Sequence, residues 1–140
     1  MEYLAPVGPV YQAGTLSANP LAMVGGLAGL RQLTPDTYAQ IRKNTERIVA
    51  LFERWLQEYR GGIFSHYRIV SLESLFWFLP GRPVQRACDI PANLEEEFFK
   101  LFKVLLEKGI YLSPNAYEVG FVSLAHHQKV AEDLETKLFS

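Results

Sequence analysis

A row of residues at Tyr38, Ile41, Thr45, Ile48, Phe52, Trp55 and Tyr59 recurs in alternating steps of three and four. That spacing stacks side chains on one face of an α-helix, so the chain must build around one long amphipathic helix. Thr34-Pro35-Asp36 marks its start, and Gly61-Gly62 ends it by supplying the left-handed conformation that a helix C-terminus favours. A helix of this length needs a surface to cover. With 49% hydrophobic residues among 140 and a mean hydropathy of +0.01, the chain holds enough apolar material for one globular core.

The surface to be covered comes next in the chain. Residues 63–70 and 72–79 are rich in β-branched and aromatic residues and read as two strands, with Leu75-Phe76-Trp77-Phe78-Leu79 expected to be buried on both faces. Pro80-Gly81-Arg82-Pro83 breaks the second. Asn93 with Glu96 resembles a capping box and predicts a helix over 94–108. Residues 110–113 and 121–124 are expected as further short strands, and 128–138 as a last helix. Upstream, Asn19-Pro20 predicts a helix to about Leu33. Its Gly25, Gly26 and Gly29 each cost helix propensity, which predicts that another backbone approaches closely. The expected class is α+β, a small sheet of mainly antiparallel strands covered on one face by helices.

Charge and cysteine content narrow the function. Fourteen basic residues against fifteen acidic ones give a net charge of −1, so there is no basic field for nucleic acid or anionic lipid. The one cysteine, Cys88, forbids an internal disulfide and leaves no zinc-ligand spacing. We read it as a small hydrophobe in a reducing, cytoplasmic compartment. No apolar run approaches the roughly 20 residues that span a bilayer, and Met1-Glu2-Tyr3-Leu4 does not open as a signal peptide does. His66, His126 and His127 lack partners at ligand spacing, so no metal site is expected.

The chemistry lies in residues 11–23, Tyr-Gln-Ala-Gly-Thr-Leu-Ser-Ala-Asn-Pro-Leu-Ala-Met. Gly14 lets a backbone approach a ligand, and Thr15 offers a hydroxyl beside an N–H, the donors a phosphate accepts. The plainer reading of these two residues is a loop hydroxyl that satisfies a turn. Residues 14–23, Gly-Thr-Leu-Ser-Ala-Asn-Pro-Leu-Ala-Met, preceded by Gly-Pro-Val-Tyr-Gln-Ala, resemble a segment of the glutamate-1-semialdehyde 2,1-aminomutase family, within the class III aminotransferases. Residues 110–114 (Ile-Tyr-Leu-Ser-Pro) and 117–126 (Tyr-Glu-Val-Gly-Phe-Val-Ser-Leu-Ala-His) resemble that family's stretch YLAPSQFEAGFVSLAH. Residues 60–95 fit loosely, and His127 stands where the family has a Thr that caps the last helix.

The resemblance implies a pyridoxal 5′-phosphate enzyme that acts as a homodimer on a small-molecule substrate, without nucleic acid or membrane. It implies that residues 1–33 form an interface and cofactor-phosphate loop with the helix ending the large domain, and that 34–140 form the C-terminal small domain of a fold-type I enzyme. It assigns Gly14 and Thr15 to the cofactor phosphate held by the other subunit, and offers Glu118 as a substrate-facing carboxylate, whose plainer reading is a solvated surface charge. The implied reaction turns glutamate 1-semialdehyde into 5-aminolevulinate, for tetrapyrrole synthesis. The family's catalytic lysine and main phosphate loop lie upstream of the position of Met1, so no catalytic residue is expected within these 140 residues. The alternatives are a fragment of another class III aminotransferase and a non-catalytic, truncated domain.

Overall fold

The computed structural model describes residues 1–140 and divides them into two compact units, Met1–Pro35 and Asp36–Ser140. The first contains helix α1 (Pro20–Arg31). The Asn19 side chain caps it, accepting from the N–H groups of Leu21 at 3.0 Å and Ala22 at 3.2 Å, as the Asn-Pro pair predicts. Within this chain no backbone approaches the three glycines: a Cβ at Gly25, Gly26 or Gly29 meets nothing within 4 Å. No residue of α1 is buried.

The second unit runs α2 (Pro35–Glu58), β1 (Tyr67–Leu72), β2 (Leu75–Pro80), α3 (Leu94–Glu107), β3 (Gly120–Phe121) and α4 (Gln128–Phe139). It is the α+β arrangement expected, an antiparallel sheet in the order β1-β2-β3. The α2 face is buried from Asn44 to Leu56, while Tyr38 is exposed. Helix α2 gives way to a single tighter turn at Tyr59–Gly61, where Arg60, Gly61 and Gly62 take positive φ in succession. Two glycines let the backbone take that path without a Cβ clash.

Pairing of Val70 with Trp77 and of Leu75 with both Leu72 and Phe121 puts these five residues on one sheet face. Phe76 and Phe78 point to the other, where Phe52 packs edge-on against Phe78 at 5.1 Å. Leu94, Leu101 and Leu105 of α3, fully buried, close the same core, with Leu138 of α4. Burial on both faces of β2 is therefore incomplete, since Leu75 and Trp77 are only half-buried.

Four other expectations are corrected. Residues 63–66 form turns and β1 begins at Tyr67. Asn93 caps α3 through no side-chain bond. Its ψ of 17° departs from the extended backbone that lets a cap side chain reach forward. Residues 110–113 form no strand, and of 121–124 only Phe121 pairs. A helix stop succeeds α3 instead: Gly109 turns at φ 72°, its N–H bonds Leu106 O, and Ile110 N–H bonds Leu105 O at 2.9 Å. That pattern anchors Ile110 in the core without any ladder. Finally, Cys88 is exposed and not a core hydrophobe.

Candidate functional site

Gly14 and Thr15 lie in the first unit and Glu118 in the second. In the first, Ser17 N–H bonds Gly14 O at 3.0 Å and Asn19 N–H bonds Leu16 O at 3.1 Å, so two turns lead directly into the α1 cap. A Cβ at Gly14 would come within 2.9 Å of Ser17 Oγ, which the glycine avoids. Thr15 is exposed. Its hydroxyl, its N–H and the N–H of Leu16 donate to nothing in the chain. Three free donors on adjacent residues fit a phosphate oxygen acceptor. They are neutral donors, however. Residues 1–35 hold only Glu2 and Arg31 as charged side chains, so a dianion needs its counter-charge from elsewhere.

In the second unit, residues 113–118 are locked by short-range bonds. Tyr117 N–H bonds Asn115 Oδ1 at 2.9 Å, Glu118 N–H bonds Asn115 O at 3.1 Å, and Asn115 N–H bonds Ser113 Oγ at 3.3 Å. The Trp77 indole N–H then reaches across from β2 to Ala116 O at 2.7 Å. On this turn, Ser113 Oγ donates to Glu118 Oε2 at 2.8 Å. Ser113 was not among the sequence candidates. The available signal was that it stands where the resembled stretch has Ala.

Glu118 also borders a hollow lined by Phe76, Phe78, Phe98 and Leu112, of only ≈ 30 Å³. Small-molecule sites run to about 300–1,000 Å³, so the walls around Glu118 in this chain do not by themselves enclose a substrate. A cleft of ≈ 450 Å³ adjoins the hollow, sharing Phe76, Leu112, Ser113, Val119 and Gly120 as walls and reaching on to His126, Asp133 and Lys137. His126 is held by its Nδ1, which accepts from Ser123 N–H at 3.0 Å. No three His, Cys, Asp or Glu side chains gather as metal ligands, and no helix is long and apolar enough to cross a membrane.

The lysines carry surface charge. Lys100 pairs with Glu97 at 2.7 Å and Glu96 at 3.2 Å, Lys137 with Asp133 at 2.8 Å, and Lys108 donates to Ser140 O at 2.8 Å. Hydrogen bonding from Lys100, then its charge and that of His66, holds the Glu97 carboxyl below the usual range against its partial desolvation. Burial pushes the Tyr67 phenol far above its ordinary value, and the charge of Glu97 adds to that. Its hydroxyl is buried without a hydrogen-bond partner.

No family model matches the chain. It is 40% identical over 96% of its length to the glutamate-1-semialdehyde 2,1-aminomutase of Leptospira interrogans, and 42% identical over 90% to that of Leptospira biflexa. It spans 31% and 30% of those two proteins. Among solved structures, an omega-transaminase from Sphaerobacter thermophilus superposes with a TM-score of 0.71 at 23% identity, over 96% of this chain and 31% of that one. A transaminase with PLP bound gives 0.68 at 24% identity, over 96% and 30%. Over nearly its whole length the chain is homologous to glutamate-1-semialdehyde 2,1-aminomutases, of which it spans about a third, and it has the fold of the corresponding part of a transaminase.

Proposed function

We propose that the chain forms part of a pyridoxal 5′-phosphate-dependent aminomutase that converts glutamate 1-semialdehyde to 5-aminolevulinate, a cytoplasmic homodimer serving tetrapyrrole synthesis. The observation that carries this reading is the 40% identity to a protein of that name over 96% of the chain. When bound, the cofactor supplies the electron sink for moving an amino group between adjacent carbons. The chain's own contribution is binding and orientation. Thr15 and the N–H of Leu16 donate to the cofactor phosphate, Gly14 keeps the approach clear, and Glu118 faces the substrate. The lack of counter-charge in residues 1–35 supports a cradle completed by other groups, as in a site shared between subunits. The small hollow beside Glu118 supports a substrate site walled partly by other chain.

The test is a chimera in which this chain replaces the matched third of the Leptospira interrogans enzyme. Formation of 5-aminolevulinate is the expected result. A chimera that folds and binds cofactor but transfers amino groups only between separate donors and acceptors would favour another aminotransferase, the reading to which the transaminase fold lends weight. One that folds, binds cofactor and does neither would favour a non-catalytic domain. Within the chimera, Thr15→Ala is expected to weaken cofactor binding roughly ten- to hundredfold, the effect of losing one charge-assisted hydrogen bond. Thr15→Ser keeps the hydroxyl and is expected to be mild. Equilibrium cofactor titration reads both, and a Thr15→Ala protein that binds like the parent but melts lower would make this loop structural.

A further inference from the structure

We propose that Ser113 is a positioning residue that aims the Glu118 carboxylate, an inference resting on the reading of Glu118 as substrate-facing. The backbone of the turn is fixed by three bonds: Tyr117 N–H to Asn115 Oδ1, Glu118 N–H to Asn115 O, and Trp77 Nε1–H to Ala116 O. None of these fixes the Glu118 side chain, which is exposed and has three rotatable bonds. Ser113 does. Its oxygen accepts from Asn115 N–H at 3.3 Å, which sets one lone pair of the hydroxyl and leaves its proton for Glu118 Oε2 at 2.8 Å. Glu118 Oε2 is thereby held, while Oε1 has no partner in the chain. A carboxylate with one oxygen tethered and the other free is arranged to accept from an N–H or O–H group of the substrate, or to pair with an ammonium. The lost freedom is taken up before the substrate arrives, so binding does not have to supply it.

Two measurements test this. In the 140-residue chain, NMR scalar couplings of Glu118 are expected to report one dominant rotamer for the parent and for Ser113→Thr, and rotamer averaging for Ser113→Ala. In the active chimera, Ser113→Ala is expected to lower kcat/KM for glutamate 1-semialdehyde roughly two- to tenfold, carried by KM with kcat little changed. Ser113→Thr restores it, and Ser113→Ala has no further effect once Glu118→Ala is present. An unchanged rotamer in Ser113→Ala overturns the proposal. So does a Glu118→Ala protein impaired in KM beside a Ser113→Ala protein that is not. If Glu118→Ala leaves KM untouched, the reading of Glu118 itself is rejected, and with it the functional half of the proposal, while the NMR result still decides the geometry.

Discussion

Tyr67 is a buried phenol with no hydrogen-bond partner, and it feels the charge of Glu97 on α3. A hydroxyl stripped of water and left unpaired is a cost to the fold. Tyr67→Phe is therefore expected to stabilise the protein by about 1 kcal/mol at neutral pH, measured by urea denaturation. Because the folded-state pKa of Tyr67 is raised, its neutral form favours folding fully below the unfolded value of about 10, and that contribution is lost as pH rises. Tyr67→Phe is expected to flatten the alkaline limb of stability, and an unchanged limb would contradict this. Glu97 has the opposite sign. Its folded pKa is depressed by Lys100 and His66, so its contribution is present above the ordinary carboxylate range and fades as pH falls through the lowered value. Glu97→Gln is expected to flatten the acid limb, and it tests the ion pairs to Lys100 at 2.7 Å and His66 at 3.6 Å together.

Helix α2 and its stop were legible in the sequence because spacing and glycine conformation are local rules, and both are met within a dozen residues. Gly62 sits at φ 84°, where an added Cβ would lie 3.0 Å from Gln57 O. Gly62→Ala is expected to cost about 1–2 kcal/mol in chemical denaturation. A loss below a few tenths would mean that the chain leaves α2 by another route. The Asn19 cap was legible for the same reason. Residues 110–113 were not, although their composition suits a strand. A strand exists through its partner, and here the chain leaves the Gly109 turn with Ile110 bonded back to α3. The Asn93 cap failed likewise: the residue type was right and the backbone angle was not. At the site, the Ser113–Glu118 bond depends on how a six-residue turn is folded, which no residue pattern states in advance.

The two units differ in what holds them. All the residues of the hydrophobic core lie between Ile48 and Leu138, whereas α1 leaves Leu21, Val24, Leu27 and Leu30 exposed. Amide exchange is expected to be fast in 20–31 and slowest around Leu101–Leu105, since protection tracks burial. Equal protection in both would count against this division. The order β1-β2-β3 has a further consequence. Strand β1 pairs on one side only, and its exposed Val70 and Leu72 lie along a free row of backbone donors and acceptors, interrupted on that strand by the charge of Arg68. Such an edge invites another molecule's strand, so association in concentrated solution is expected to start at this border without any loss of the core. A lysine placed at Val70 should keep such solutions clear for longer, as read by light scattering, at almost unchanged melting temperature.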